Sequence, residues 1–217
     1  GRRYETFDSM AAFQGFKQQT IKSLELDEPI VRKHHMRLAV ENHKDWRAPE
    51  LIDMLKHLDS EWVGVTLDFG NSISLMENPM DVVEALVPYV FSTHVKDMAF
   101  EEYEDCFLMS EVQLGKGVLD LPRIVSLCRK HNPDIVFNLE MITRDPLKIP
   151  CLTQAYWATF PEVNGKELAR TLQMERENRY STDLPLISNL DSVEKLAAEE
   201  KNVRNSLAYS RNSLPIT

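Results

Sequence analysis

Four residues with metal-binding side chains each follow a short apolar segment of the sequence. They are Glu41 after MRLAV, Asp68 after VGVTL, His94 after YVFST and Glu140 after IVFNL. In parallel α/β folds, ligands bind at the carboxyl ends of the strands, so side chains at these positions would converge on one point. Three carboxylates held close together repel one another, and a divalent cation removes that cost. The pattern therefore predicts a metal site formed by these four residues.

The ligand types indicate which ions and reactions such a site would suit. Carboxylate oxygens with one imidazole favour Mn²⁺, Mg²⁺ or Co²⁺, with Zn²⁺ as an alternative. One such cation could hold the adjacent carbonyl and hydroxyl oxygens of a sugar and stabilise the enediolate that forms when the neighbouring carbon loses its proton. A carboxylate within reach of that carbon could take the proton. We therefore expect one divalent cation in a site for proton transfer at carbon.

Further polar and aromatic side chains lie close to these positions in the sequence. His43 and Lys96 each come two residues after a predicted ligand, so in a continuing strand they would point to the same side. We predict proton transfer or hydroxyl binding for His43 and an electrostatic catalytic role for Lys96, which could instead pair with the acid that follows it. Arg144 could bind a carboxylate or phosphate of the substrate, or pair with its acidic neighbour. Asn71 and Trp46 are predicted to contact the substrate, although an aromatic residue near a strand end is equally typical of the core.

Predicted helices alternate with the apolar segments. They run from a cap at Asp8 to about residue 35, from 48 to about 58, from 79 to about 86, and from a cap at Asp120 through a face that includes Cys128. Residues 100–105 are predicted to form an acidic loop, residues 107–114 a short strand or hairpin arm, and residues 115–117 a tight turn. Nearly unbroken apolar strands between helices indicate a parallel sheet covered by helices.

The spacing of the four predicted ligands indicates a barrel. They are 27, 26 and 46 residues apart, whereas each unit of a (β/α)₈ barrel takes roughly 30 residues. Four strands cannot close such a barrel, and an open sheet would leave its edges exposed. We therefore expect residues 1–150 to form the C-terminal half of a TIM barrel, strands five to eight. Residues 151–217 are expected to form a C-terminal helical extension, with helices near 165–177 and 191–209, that packs on the barrel or on a partner.

As an ordered set, the strand ends resemble those of the xylose isomerase-like TIM barrels, the sugar phosphate isomerase and epimerase group. The matching segments are Glu41-Asn42-His43, Asp68-Phe69-Gly70-Asn71, His94-Val95-Lys96-Asp97 and Asn138-Leu139-Glu140. The resemblance covers roughly residues 1–150. It implies that the Glu, Asp, His and Glu of these segments bind one divalent cation, and that Glu41 and Glu140 also act as acid and base on opposite faces of the substrate. The implied function is a metal-dependent isomerase or epimerase of a sugar, sugar phosphate or polyol ketone.

Other functions are compatible with parts of this pattern. A dehydratase of a keto-inositol-like substrate would use the same four residues. A phosphodiesterase like endonuclease IV would need more histidines, but Asn71 stands three residues after Asp68, and Met98 and Ala99 follow Asp97. A non-catalytic binding module is a third alternative, which four acidic and imidazole side chains in register make less attractive.

Composition limits the partners and the compartment. The chain of 217 residues has 34 acidic and 25 basic residues, a formal charge of −9 that disfavours nucleic-acid binding. Its three cysteines have no CxxC spacing, so we expect them to be reduced and the protein to be cytoplasmic. No apolar run reaches the roughly 18 residues of a membrane helix. The expected partner is a small sugar or polyol, and a homo-oligomer is an open alternative.

Overall fold

A computed structural model describes residues 1–216 of the chain, which form seven α-helices and seven β-strands. The strands are β1 Leu38–Glu41, β2 Val63–Asp68, β3 Val90–Val95, β4 Asp97–Tyr103, β5 Cys106–Val112, β6 Phe137–Leu139 and β7 Leu147–Ile149. The helices are α1 Arg3–Thr6, α2 Met10–Lys33, α3 Ala48–Leu58, α4 Pro79–Leu86, α5 Leu121–His131, α6 Gly165–Glu177 and α7 Ser192–Ser213. Short 3₁₀ helices lie at Asn71–Leu75, Val87–Tyr89 and Tyr156–Thr159.

Four strands form a parallel sheet in the order β1, β2, β3, β6. Asp68 lies opposite His94, and His94 lies opposite Asn138, so the carboxyl ends of the strands are aligned. Helices connect the successive strands, as in consecutive units of a (β/α) barrel. The fold is therefore of the TIM-barrel type, as the sequence predicts, and within residues 1–216 the four parallel strands leave the barrel open.

Local sequence signals explain why the connecting helices begin where they do. Pro49 lies in the first turn of α3, and Pro79 lies in the first turn of α4, where a missing N–H is harmless. The Asn78 side chain accepts hydrogen bonds from the first turn of α4, and Asp120 caps α5 in the same way. These three helices bury apolar faces against the sheet. The long helix α2 is capped by Ser9 rather than by the predicted Asp8.

A second sheet stands where the sequence suggested an acidic loop. Strands β4 and β5 form an antiparallel hairpin, and β7 pairs with β5. The loop prediction for residues 100–105 is wrong for residues 100–103, which continue β4 and pair with β5 because Phe100 is buried against Phe107; only residues 104 and 105 form the turn between the two strands. Because β3 ends at Val95 and β4 begins at Asp97, Lys96 is the only residue between these two strands, where the chain first passes from the parallel sheet to the second sheet.

The hairpin is joined to α5 by the tight turn at residues 115–117. The Asp97 carboxylate accepts hydrogen bonds from the backbone N–H groups of Gly115, Gly117 and Leu119, at 2.9–3.1 Å. Gly115 has φ +79°, in the left-handed region that glycine adopts without strain. The turn is thus fixed to the point where the chain passes from one sheet to the other.

The polar tail after residue 150 packs on this framework through its two helices. In α7, the Ser206 hydroxyl accepts a hydrogen bond from Leu114 N–H at 3.2 Å. In α6, Glu167 forms an ion pair with Arg47, and Arg170 pairs with Asp81 at 3.0 Å. Both helices form where the sequence suggested them. No helix within residues 1–216 is long and apolar enough to cross a membrane.

The cysteines depart from expectation. Cys106 and Cys151 are paired as a disulfide with a Cα–Cα distance of 5.4 Å, so the expectation of three reduced thiols is wrong for these two. The reason is tertiary: the hairpin brings β5 next to the residues that follow β7, across a separation of 45 positions. Cys128 is free and buried, as expected.

Candidate metal centre

The four predicted ligands come together at the carboxyl end of the parallel sheet. Glu41, Asp68, His94 and Glu140 each offer one ligand atom, and these atoms all lie within 4.8 Å of one another. Asp68 is buried at the bottom of the cluster, and the other three are partly exposed. The cluster therefore has a solvent-facing side from which a small molecule could enter.

Asp68 is held by the backbone around it. Its Oδ1 accepts hydrogen bonds from Gly70 N–H at 3.0 Å and from Asn71 N–H at 2.8 Å. The Asn42 side chain donates to the Asp68 carbonyl at 2.9 Å and accepts from the Asp68 N–H at 2.7 Å, which ties the ends of β1 and β2 together. These bonds fix the carboxylate so that Oδ2 points into the cluster.

Three ligand atoms are buried and have no partner in good hydrogen-bond geometry within residues 1–216, although the Lys96 ammonium lies within ion-pair distance of two of them. They are Asp68 Oδ2, His94 Nδ1 and Glu140 Oε2. The His94 Nδ1 lies 2.9 Å from Glu140 Oε2 and 3.4 Å from Glu41 Oε1, close contacts that lack hydrogen-bond geometry. Buried polar atoms are normally paired, and the single ammonium of Lys96 does not satisfy all three, because it approaches only the two carboxylate oxygens. Three carboxylates and one imidazole fit a divalent cation with oxygen and nitrogen ligands.

Lys96 supplies positive charge inside the cluster. Its Nζ lies 2.8 Å from Asp68 Oδ2, 3.2 Å from Glu140 Oε2 and 3.5 Å from Glu111 Oε1. Burial opposes the charge of this side chain, but the nearby carboxylates of Asp68, Glu111 and Glu140 outweigh burial and raise the pKa of Lys96. Lys96 is therefore an ammonium group paired with the candidate ligands, not with Asp97.

Burial and charge act in opposite directions on the carboxylates. Burial raises the pKa of Asp68 to about 6, although Lys96 and two backbone N–H groups counteract it. For Glu140, burial also favours the neutral form, but Lys96 and His94 prevail and lower the pKa. Both carboxyl groups are consequently ionised at neutral pH, as metal ligands must be.

A buried lysine and an asparagine support Glu41. The Asn71 Nδ2 donates a hydrogen bond to Glu41 Oε1 at 3.1 Å, and Asn71 Oδ1 accepts one from Lys44 Nζ. Burial, with a further contribution from Lys96, lowers the pKa of Lys44 to about 8. Asn71, predicted to contact the substrate, is buried and instead orients the Glu41 carboxylate.

Glu111 brings a fourth carboxylate from the second sheet. Its side chain is 1% exposed, Oε2 accepts a hydrogen bond from Ile142 N–H at 2.7 Å, and Oε1 accepts one from Arg144 at 3.2 Å. Arg144 therefore pairs with Glu111. The alternative from the sequence, that it pairs with its neighbour Asp145, is wrong. Because the Arg144 side chain is 39% exposed, its guanidinium also faces solvent at the edge of the cluster.

The two remaining predicted residues lie elsewhere. The Trp46 ring is 3% exposed and packs against Phe13 and Phe16 of α2, which places it in the core and argues against contact with a substrate. The His43 Nδ1 lies 3.0 Å from the carbonyl oxygen of Gly1. Burial, followed by the charge of Lys44, lowers the pKa of His43 and favours the neutral ring.

Sequence reasoning missed Asn42, Lys44 and Glu111. Glu111 is a single acid within the apolar stretch FLMSEV, and such an isolated charge is a signal for a buried, paired group. Lys44 and Asn42 gave no comparable signal, because the loop that contains them is polar throughout.

Comparison with known protein families gives a match over most of the chain. The profile of the family described as xylose isomerase-like TIM barrel matches residues 8–169. In sequence, the chain is 25% identical over 136 residues to a 3-oxo-isoapionate decarboxylase of Pectobacterium atrosepticum, a match that covers 62% of this chain and 50% of that protein. The chain spans half or less of the length of the curated relatives that it matches.

Solved structures show the same fold. A xylose isomerase-like TIM barrel protein from Mycobacterium smegmatis, in complex with magnesium, is similar with a TM-score of 0.53 and 16% identity, over 75% of this chain and 51% of that chain. A D-psicose 3-epimerase solved in the presence of D-fructose gives 0.51 and 15%, over 91% and 56%. At these identities the similarity concerns the fold alone.

Proposed function

The chain belongs to the xylose isomerase-like TIM barrel family, and from this premise we propose that it carries the metal-binding side of an enzyme that moves a proton at a carbon next to a carbonyl group. The proposed reaction is isomerisation or epimerisation of a sugar, sugar phosphate or polyol ketone. The proposed cofactor is one divalent cation, Mn²⁺, Mg²⁺ or Co²⁺, with Zn²⁺ as an alternative.

One observation carries the proposal: three carboxylates and one imidazole converge at the carboxyl end of the parallel sheet. Asp68 Oδ2, His94 Nδ1 and Glu140 Oε2 converge with Glu41 within 4.8 Å. Such a cluster is costly when it serves only to stabilise a fold, because the three carboxylates repel one another and the single ammonium of Lys96 neutralises only part of their charge. A bound cation would satisfy all of these atoms at once.

Glu41, Asp68, His94 and Glu140 would hold the cation. When bound, it supplies Lewis-acid polarisation of a substrate carbonyl group. Asp68 is best suited to be a cation ligand without an acid–base role, because it is buried and fixed by its hydrogen bonds to backbone N–H groups. The two glutamates are partly exposed and therefore accessible to a substrate.

Glu41 and Glu140 are the proposed acid and base. Glu41 ends β1 and Glu140 follows β6, the outer strands of the parallel sheet, so they approach His94 from opposite sides. In an epimerisation, one carboxylate takes the proton from the carbon and leaves the electron pair on the substrate. The other glutamate enters the step protonated and gives its proton to the opposite face of the same carbon, so the two groups exchange protonation states.

Neighbouring side chains contact both of the proposed acid–base glutamates, Glu41 and Glu140. Lys96 and His94 lie next to Glu140 and keep it ionised, so it can accept a proton at neutral pH. Asn71 donates to one oxygen of Glu41 and leaves the other oxygen free. His43, next to the cluster in sequence, remains a proposed group for hydroxyl binding.

A lyase reaction is the second candidate, and one finding favours it. The relative that is 25% identical over 136 residues is a decarboxylase. Loss of carbon dioxide from a 3-oxo acid also leaves negative charge next to a carbonyl, so the same carboxylates and cation would serve. The exposed side of Arg144 could bind the substrate carboxylate.

Two measurements test the proposal. Elemental analysis of protein purified without chelator should show about one divalent cation per chain. With Mn²⁺ and D-fructose as the first ketose probe in D₂O, the parent chain should incorporate deuterium at the carbon next to the carbonyl, detected by NMR. Glu140→Gln should abolish incorporation while Glu104→Gln, an exposed site in the β4–β5 turn, should retain it.

The contrary results are equally specific. Unchanged deuterium incorporation in Glu140→Gln would exclude this residue as the base. A chain that binds no divalent cation would refute the metal-dependent reaction. Release of carbon dioxide from a 3-oxo acid, without deuterium exchange into ketoses, would favour the lyase over the isomerase.

A further inference from the structure

Lys96 occupies the oxygens that a cation would need. Its ammonium lies 2.8 Å from Asp68 Oδ2 and 3.2 Å from Glu140 Oε2, and its side chain is 1% exposed. Both oxygens belong to the four-residue cluster. In this arrangement Lys96 neutralises part of the negative charge of the cluster.

A divalent cation and the ammonium compete for these two oxygens. Like charges at such distances repel strongly in a buried site, where water screens them poorly. An ammonium left buried without a partner is also strongly unfavourable. Lys96 therefore needs another carboxylate within reach of its side chain when the cation binds.

Glu111 meets this requirement. Its Oε1 lies 3.5 Å from Lys96 Nζ, so a shift of about 1 Å would bring the pair to the usual length of a charged hydrogen bond. Its position is fixed because Ile142 N–H and Arg144 both donate to it. Glu111 comes from β5 of the second sheet and is not one of the four clustered ligands.

We propose that Glu111 is the counterion that receives Lys96 when a divalent cation binds to Asp68 and Glu140. Glu111 is then a positioning residue, which acts on the cation through Lys96 without touching it. The inference rests on the proposed metal site and adds to it a buried carboxylate that controls its affinity. In this scheme, the distance from Lys96 to Glu111 shortens on metal binding and the distance to Asp68 lengthens.

A double-mutant cycle measured by calorimetric titration with MnCl₂ tests this coupling in the full chain. Glu111→Gln keeps the size of the side chain and an acceptor for Ile142 N–H but removes the charge that would receive Lys96. It should weaken Mn²⁺ binding about tenfold or more, the scale of one close charge pair. In a Lys96→Met background no ammonium competes for Asp68 and Glu140, so the same Glu111→Gln change should alter the affinity less than about twofold.

Controls separate this coupling from a loss of structure or of overall charge. Glu104→Gln removes the same formal charge from the same hairpin at an exposed position, and it should bind Mn²⁺ like the parent. Circular dichroism of each variant should match that of the parent. Electron paramagnetic resonance of bound Mn²⁺ gives a second readout that is independent of catalysis.

Two results would overturn the inference while leaving the proposed function intact. One is parent-like Mn²⁺ affinity in Glu111→Gln. The other is an equal weakening by Glu111→Gln in the parent and in the Lys96→Met background, since this would show that Glu111 does not act through Lys96. A parent chain that binds none of Mn²⁺, Mg²⁺, Co²⁺ and Zn²⁺ would instead refute the proposed function, and titrations of the parent alone reveal it.

Discussion

Glu77 lies just before α4 in the chain, and its buried carboxylate contacts the start of α3. This carboxylate should make the stability of the protein depend on pH. The residue is 8% exposed; its Oε1 accepts a hydrogen bond from Ala48 N–H at 3.0 Å, and its Oε2 has no hydrogen-bond partner within residues 1–216. Burial raises the pKa of Glu77 from its ordinary value of 4.5 to about 7, although Arg47, 3.8 Å away, opposes this.

The direction of the effect follows from proton binding. Below about pH 4.5 the carboxyl group is protonated in both the folded and the unfolded chain, and it has no effect on stability. Between about pH 4.5 and 7 the unfolded chain loses the proton that the folded chain keeps. The free energy of unfolding therefore falls as pH rises through this window, by about 3 kcal/mol in total, and stays at the lower value above about pH 7.

The variant Glu77→Gln isolates this contribution. Its amide oxygen can still accept from Ala48 N–H, and Arg47 keeps Glu167 as an ion-pair partner. The variant should be more stable than the parent by up to about 3 kcal/mol at about pH 8, with the difference shrinking towards zero near about pH 4.5. Urea unfolding at a series of pH values from about 5 to 8 measures it.

Subtracting the variant from the parent removes the effects of other titrating groups. Glu84→Gln, on the exposed side of α4, is the control for loss of one carboxylate. A stability difference between parent and Glu77→Gln that does not change with pH would refute the reasoning. An increase in the free energy of unfolding of the parent relative to the variant as pH rises would refute it as well.

Three further predictions concern the packing and the candidate metal centre. Gly117→Ala should lower the free energy of unfolding by about 1–3 kcal/mol, because the added methyl group would overlap the Asp97 carboxylate and the Met98 carbonyl oxygen; parent-like urea unfolding would contradict this. Leu51→Ala, at a fully buried position of α3, should cost about 2–5 kcal/mol by the same assay, and a loss below about 1 kcal/mol would show that the core closes around the cavity. Mn²⁺ at about a hundred times its dissociation constant should stabilise the parent by about 2.7 kcal/mol in thermal unfolding; chelation should reverse the gain, and Asp68→Asn should retain little of it.

The parallel sheet and its helices could be predicted from sequence because local signals specify them. Proline in the first turn gives the starts of α3 and α4, and a capping aspartate gives the start of α5. Apolar strands that each end in a potential ligand indicate the four clustered residues. In a parallel sheet of consecutive units, the strand order brings those ends together without any further information.

The rest depends on contacts that sequence spacing does not encode. Glu111 reaches Lys96 only because the β4–β5 hairpin folds back over the end of the parallel sheet. The short distance from Trp46 to Glu41 in the chain predicts a place at the pocket, but the position of α2 decides that the ring is buried. The acidic residues near position 102 indicate a loop when judged by charge alone, whereas pairing with β5 and the buried ring of Phe100 make this segment a strand.

Lys96, the single residue between β3 and β4, fixes the number of residues that this junction can contain. His94 and Lys96 both point into the cluster, while the chain passes without a loop from β3 into β4. Because side chains alternate along an extended backbone, inserting or deleting one residue at this junction would turn Lys96 away from Asp68 or turn Asp97 away from its turn. Most surface loops of a barrel tolerate insertions, but this junction should accept substitutions only: one residue inserted next to Lys96 should abolish folded protein, whereas one residue inserted in the β4–β5 turn at residues 104–105 should retain it.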